Sequence, residues 1–134
     1  MSRKSRGQPK VLLVDDEPDL LELLELTLSR MGLDTTRAES VGEAIRLLDR
    51  EQYDLCLTDM RLPDGSGLDL LRRIEEAGRG EKAMVITAYG SPENAVEALK
   101  AGAYDYLTKP VDLRQFRAVV ASALGRTVAT AATG

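Results

Sequence analysis

Leu55-Cys56-Leu57-Thr58-Asp59-Met60-Arg61-Leu62-Pro63-Asp64-Gly65 is the stretch whose reading decides the fold. Leu55 to Thr58 is short, apolar and bounded by polar residues, the signature of a strand buried on both faces. Pro63 and Gly65 then punctuate a loop. Asp59 therefore stands at the carboxyl end of a central strand. In open α/β sheets, ligands and chemistry gather at that edge. Asp59 is thus a candidate nucleophile, and the remaining sequence is to be read for groups that hold or tune it.

On the amino-terminal side, Val11-Leu12-Leu13-Val14 is a second continuous apolar run. It stops in Asp15-Asp16-Glu17 and Pro18, which suit the first turn of a helix. Leu20, Leu21, Leu24 and Leu28 recur at helical spacing up to Gly32, a C-terminal stop. Leu33 to Ala38 is more polar and is placed at a sheet edge. Ser40-Val41-Gly42-Glu43 is a capping box, opening a helix whose apolar stripe is Val41, Ala44, Ile45 and Leu48.

On the carboxyl-terminal side, Ser66-Gly67-Leu68-Asp69 begins a helix with Leu70, Leu71, Ile74 and Ala77 on one face and Gly78 near its end. Ala83-Met84-Val85-Ile86 is a fourth strand ending in Thr87. Ser91-Pro92-Glu93 starts a helix that runs to about Ala101. Tyr104 to Thr108 is a fifth strand, closed by Lys109-Pro110. Asp112 to Gln115 begins a last helix, lined inward by Phe116, Val119, Val120 and Ala123. Strand and helix alternate five times, which predicts a doubly wound α/β fold: a five-stranded parallel sheet with helices on both faces and right-handed crossovers.

The bulk numbers set limits. The 134 residues fit one domain, and a 43% hydrophobic fraction supports a core without metal or disulfide staples. A single cysteine, Cys56, forms no internal disulfide and suits a reducing compartment. Its place inside an apolar strand reads as a small buried hydrophobe. With no histidine, histidine general bases and histidine metal sites are excluded. No apolar run reaches the ~20 residues of a membrane span. The net charge is −4, yet the first ten residues carry four cations and no acids, so the other 124 sum to −8. An acidic body argues against direct nucleic-acid contact by this domain.

Chemistry is concentrated at strand ends: Asp15 and Asp16 after the first, Asp59 after the third, Thr87 after the fourth and Lys109 after the fifth. Each residue alone is ordinary; the ordered combination is specific. Three carboxylates converging at one edge repel each other, and a hard divalent cation such as Mg²⁺ relieves that repulsion. A carboxylate so screened can attack phosphorus and form a mixed anhydride. Lys109 would balance charge on the phosphoryl oxygens, and Thr87 would donate a hydrogen bond to them.

With these residues in hand, the chain resembles the receiver domain of a bacterial two-component response regulator. Val14-Asp15-Asp16-Glu17-Pro18, Thr58 to Gly65, Thr87-Ala88 and Lys109-Pro110 match the family's motifs in order, over about Val11 to Leu124. The resemblance implies a CheY- and flavodoxin-like fold with strand order 2-1-3-4-5. It implies Asp59 as phosphoacceptor, with Mg²⁺ held by Asp16 directly, by Asp15 largely through water, by Asp59 and by the backbone carbonyl of Arg61. Lys109 would contact the phosphoryl group and precede a cis peptide at Pro110, and Thr87 and Tyr106 would be the switch pair. The domain would catalyse its own phosphoryl transfer from a sensor histidine kinase and its own dephosphorylation.

Thr87-Ala88-Tyr89-Gly90-Ser91 and Ala101 to Pro110 are similar to receivers of NtrC-type regulators, which activate sigma-54 promoters. The stretch Leu55 to Leu70 is most similar to regulators of type IV pili within that group. Such proteins carry output ATPase and DNA-binding domains, are cytoplasmic and can act as homodimers. The expected organisation is a disordered basic leader over 1–9, the receiver over 10–126 and a tail or linker start over 127–134. A stand-alone receiver that signals by protein contact is the alternative. A Mg²⁺-dependent aspartyl-phosphate phosphatase is disfavoured, because Arg61 stands where such enzymes place a second acid.

Overall fold

The apolar runs become strands because each is covered on both faces. The computed structural model describes residues 8–78, 80–88 and 91–125. The strands are β1 (Lys10–Val14), β2 (Asp34–Ala38), β3 (Leu55–Thr58), β4 (Lys82–Thr87) and β5 (Asp105–Thr108). The helices between and after them are α1 (Pro18–Arg30), α2 (Val41–Arg50), α3 (Gly67–Ala77), α4 (Pro92–Lys100) and α5 (Leu113–Ala123). All four strand pairings are parallel and give the spatial order 2-1-3-4-5. The more polar β2 is an edge strand, as its composition predicts. The expected leader lies outside the described residues up to residue 7, and the expected tail lies wholly outside them.

Alternate residues of each central strand serve opposite cores. Leu12, Val14, Cys56 and Val85 join Ala44 and Leu48 of α2, Leu70 and Leu71 of α3, and Ala98 of α4. Val11, Leu13, Leu55, Leu57, Met84 and Ile86 join Leu21, Leu24 and Leu28 of α1 with Phe116 and Val120 of α5. Thus α2, α3 and α4 cover one face and α1 and α5 the other. Each fully buried Leu or Phe contributes roughly 1.5–3 kcal/mol of transfer free energy. The parallel strands therefore open towards one edge.

The helix ends are set by short-range chemistry. Ser91 Oγ accepts from the Asn94 N–H at 3.1 Å, and Pro92 follows it in α4. Asp112 Oδ1 accepts from the Arg114 and Gln115 N–H groups of α5. Gly78 ends α3 at φ 62°, a left-handed conformation that side-chain-bearing residues avoid. At α2, Ser40 Oγ accepts from the Glu43 N–H at 3.1 Å, as the capping box predicts. The Glu43 carboxylate, however, reaches back to the N–H of Glu39 at 2.9 Å.

Four strand starts differ from the sequence reading by one residue: β1 opens at Lys10 and β4 at Lys82, one residue early, and β2 and β5 open one residue late. Leu33 gives its N–H to the Leu28 carbonyl and finishes the α1 turn instead of opening β2. Tyr104 precedes β5, although its N–H already reaches the Ala83 carbonyl. The loop after β3 also contains a two-residue antiparallel ladder that the sequence does not predict, Arg61–Leu62 against Gly65–Ser66.

Candidate functional site

The first residue past each of three strands is pinned by a further ladder bond. The Asp15 N–H reaches the Ala38 carbonyl at 3.1 Å, the Asp59 N–H reaches the Val14 carbonyl at 3.0 Å, and the Lys109 N–H reaches the Thr87 carbonyl at 2.9 Å. These residues have left the strands but inherit their rigidity. Their side chains meet at the carboxyl edge of the sheet. The Lys109–Pro110 peptide is cis.

Lys109 Nζ is the centre of the cluster. It lies 2.8 Å from Asp59 Oδ2, 3.0 Å from Asp15 Oδ2 and 2.7 Å from Glu17 Oε2. The other carboxylate oxygens meet the backbone: Asp15 Oδ1 accepts from the Glu17 N–H at 2.9 Å, and Asp59 Oδ1 accepts from the Arg61 N–H at 3.4 Å. Side-chain exposure is 4% for Asp15, 7% for Asp59 and 11% for Lys109, but 57% for Glu17. Three acids are therefore gathered on one base, two of them out of water and the third at the mouth.

Burial pushes the Asp15 carboxyl above its ordinary range, while the hydrogen bond from Lys109 pulls it back. Burial lowers the Lys109 ammonium, but hydrogen bonds to Asp59, Glu17 and Asp15 outweigh burial, and the net shift is upward. Lys109 thus stays cationic throughout the physiological range.

One oxygen each from Asp15, Glu17 and Asp59 lie within 4.8 Å of one another. All-oxygen donors carrying more negative charge than one lysine neutralises fit a hard divalent cation. Asp16 is exposed; it lines a cleft of about 390 Å³ together with Glu17, Asp59, Arg61, Ala88 and Lys109. The expected carboxylate set was Asp15, Asp16 and Asp59; the set the structure brings closest together has Glu17 where Asp16 was expected. A chain that turns into α1 at Pro18 carries residue 17 back over residue 15, as the Glu17 N–H bond to Asp15 records. A larger cleft, about 630 Å³, runs along α4 past Arg72, Glu93, Val96 and Lys100 and holds none of these groups.

Thr87 ends β4 fully buried and pairs with Thr108 of β5. Tyr106 is half-buried, pairs with Val85 and packs against the core cluster that includes Ala98, Ala101 and Ala103. Tyr106 stands on the strand that leads to Lys109, and Thr87 gives the carbonyl that accepts from the Lys109 N–H. On α4 and α5, Glu93, Glu97, Lys100 and Arg114 are exposed. Cys56 is fully buried, and burial pushes its thiol up to about 12.

Two residues of the site escape sequence reading. Glu17 reads as a helix-start acid; the third acid in Asp15-Asp16-Glu17 is its only signal. Gly67 reads as part of a helix start. Its N–H donates to the Met60 carbonyl at 2.8 Å, so the α3 terminus is folded directly against the loop that follows Asp59.

A five-stranded parallel sheet of order 2-1-3-4-5, with acids at two strand ends and a lysine at a third, defines a doubly wound α/β domain with a charged site at its carboxyl edge. The chain matches the response regulator receiver domain family over residues 11–121 and belongs to that family. It is 62% identical over 118 residues to the response regulator protein PilR of Pseudomonas aeruginosa, covering 88% of this chain and 26% of that protein. It is 42% identical over 102 residues to the transcriptional regulatory protein GlrR of Escherichia coli K12, covering 76% of this chain and 23% of that one. The chain therefore spans about a quarter of the length of these curated regulators. Among solved structures, a CheY-like receiver domain protein from Methanospirillum hungatei superposes with a TM-score of 0.83 at 32% identity, covering 88% of this chain and 94% of that one. The beryllofluoride-activated NtrC4 receiver domain dimer gives 0.82 at 31% identity, covering 87% and 96%. No helix among the described residues is long and apolar enough to cross a membrane.

Proposed function

We propose that this domain is a phosphorylation switch that takes a phosphoryl group on Asp59 from a sensor histidine kinase in the cytoplasm. The observation that carries the reading is the placement of Lys109 Nζ at 2.8 Å from Asp59 Oδ2, with both side chains nearly buried. An oxygen of Asp59 forms a bond to phosphorus. The bond from phosphorus to the donor's imidazole nitrogen breaks, and its electron pair stays on that nitrogen. Lys109 moves its charge onto the phosphoryl oxygens as negative charge builds there. Hydrolysis reverses the state: water attacks phosphorus and the Asp59 carboxylate leaves.

Mg²⁺ fits the donor set, with Asp15, Asp59 and either Asp16 or Glu17 to hold it and the Arg61 carbonyl as a further oxygen. When bound, it would screen the nucleophile from the anionic donor. The switch itself rests on this chain's residues. Phosphoryl oxygens draw the Thr87 hydroxyl towards them, Tyr106 follows into the space beside β5, and the α4–β5–α5 face changes. Similarity to PilR and GlrR supports an NtrC-type output: ATPase and DNA-binding domains acting at sigma-54 promoters, pilus genes among them, with the receiver pairing as a homodimer.

The test is intact mass after incubation with acetyl phosphate and Mg²⁺, with and without EDTA, on the wild type and Asp59→Asn. One phosphoryl group gained only with Mg²⁺ and Asp59 is the expected result. Labelling that survives Asp59→Asn would refute the assignment of the acceptor.

A further inference from the structure

An ammonium has three N–H donors. Lys109 Nζ has three carboxylate oxygens around it, from Asp15, Asp59 and Glu17 at 3.0, 2.8 and 2.7 Å, one for each N–H. No N–H remains for an incoming phosphoryl oxygen, so one of the three bonds must be given up. While the donor approaches, Asp59 is still an anion and keeps its share of Lys109. Asp15, at 4% exposure, is too deeply buried for bulk solvent to take the lysine's place. Glu17, at 57% exposure, exchanges Lys109 for solvent at least cost.

We propose that Glu17 is a positioning residue: its carboxylate holds the third N–H of Lys109 in place until a phosphoryl oxygen replaces it. This rests on Asp59 being the phosphoacceptor. The clamp does two things. It keeps Lys109 at the mouth of the site and aimed at Asp59 in the unloaded state. It also competes with the phosphoryl group, so the loaded state carries the free energy of the broken Glu17–Lys109 bond. Once the phosphoryl group is in place, its negative charge repels Glu17 and keeps it in water. Glu17 thereby sets how readily Asp59 is loaded, without touching phosphorus.

The experiment compares the wild type, Glu17→Gln and Glu17→Ala in the whole domain. The readouts are the affinity for beryllofluoride, a phosphoryl mimic, at saturating Mg²⁺, the initial rate of loading from acetyl phosphate, and Mg²⁺ affinity by calorimetry. Glu17→Ala should bind beryllofluoride about two- to fivefold tighter and load faster by a similar factor, the range expected for an exposed ion pair. Glu17→Gln keeps an acceptor oxygen without the charge, so its gain should fall between the two.

Equal gains from both variants would mean that only charge at the mouth matters, and would overturn the clamp. Unchanged or weaker beryllofluoride binding would overturn it too. Weakened Mg²⁺ binding in Glu17→Ala would make Glu17 a metal ligand instead. A wild type that takes up neither phosphoryl nor beryllofluoride would remove the acceptor reading itself, a failure separable from that of Glu17.

Discussion

A Cβ on Gly67 would stand 2.0 Å from the Asp59 carbonyl oxygen and 2.7 Å from Thr58 Oγ1. The α3 terminus is thus packed against the backbone of Asp59 itself, with no space for a methyl group. Gly67→Ala should destabilise the domain by about 2–3 kcal/mol, because the obstacle is backbone and not a flexible side-chain tip. It should also displace Asp59 and slow its loading. Urea unfolding and acetyl phosphate labelling read the two effects. Wild-type stability in the variant would mean that α3 slides freely, against the bond from the Gly67 N–H to Met60.

Asp64 reaches across from the same loop to α2. Its two carboxylate oxygens accept from the Val41 N–H at 2.8 Å and the Gly42 N–H at 2.9 Å. These backbone bonds, Gly42's first, hold the Asp64 carboxyl below the ordinary carboxylate range. The folded pKa is lower than the unfolded one, so Asp64 contributes stability above the unfolded value of about 3.9 and loses it as pH falls through the folded value. Asp64→Asn should be less stable than the wild type at neutral pH, and the gap should close below the folded pKa. Urea midpoints for both proteins across the acid range check this; a gap independent of pH would contradict it.

These two residues show what the sequence makes legible. Val11 to Val14 and Leu55 to Thr58 announce themselves because burial on both faces forces continuous apolar runs. Asp15 and Asp59 are visible because each directly follows such a run, and Lys109 because it closes the fifth strand just before Pro110. Partner choice over long sequence distances leaves no such trace. Glu17 meets Lys109 across 92 positions and Asp64 meets Val41 across 23. Before Pro18, Glu17 looks like any acid complementing a helix dipole. Gly67 looks like any small residue at a helix start, since only the folded loop shows that a methyl group has nowhere to go.

Cys56 tests the rigidity of the central strand. Burial pushes its thiol up to about 12, so almost no thiolate exists at pH 8 in the folded state. Alkylation by iodoacetamide should be undetectable under native conditions and rapid in denaturant, with any slow native reaction following the opening equilibrium. Prompt native labelling would mean that β3 is not covered on the side where Cys56 joins Leu12, Leu48 and Leu71.

Thr87 and Tyr106 carry the conformational half of the proposed function, and their surroundings set what each should do. Tyr106 packs against a cluster that contains Ala98, Ala101 and Ala103, and burial pushes its phenol above the ordinary range. In α4, Ala98 is the one buried residue, while Val96 and Leu99 are exposed. A helix held by so little apolar area is the element of this face best able to shift. A hydrogen bond from the Thr87 hydroxyl to a charged phosphoryl oxygen is worth roughly 1.5–3 kcal/mol, a bias of about ten- to a hundredfold between two packings. Thr87→Ala removes that bias but leaves Asp59, Asp15 and Lys109 in place. It should still take a phosphoryl group, while the Tyr106 ring signals in NMR, which move on loading in the wild type, stay near their unloaded positions. If those signals moved equally in both proteins, the Tyr106 response would not pass through the Thr87 hydroxyl.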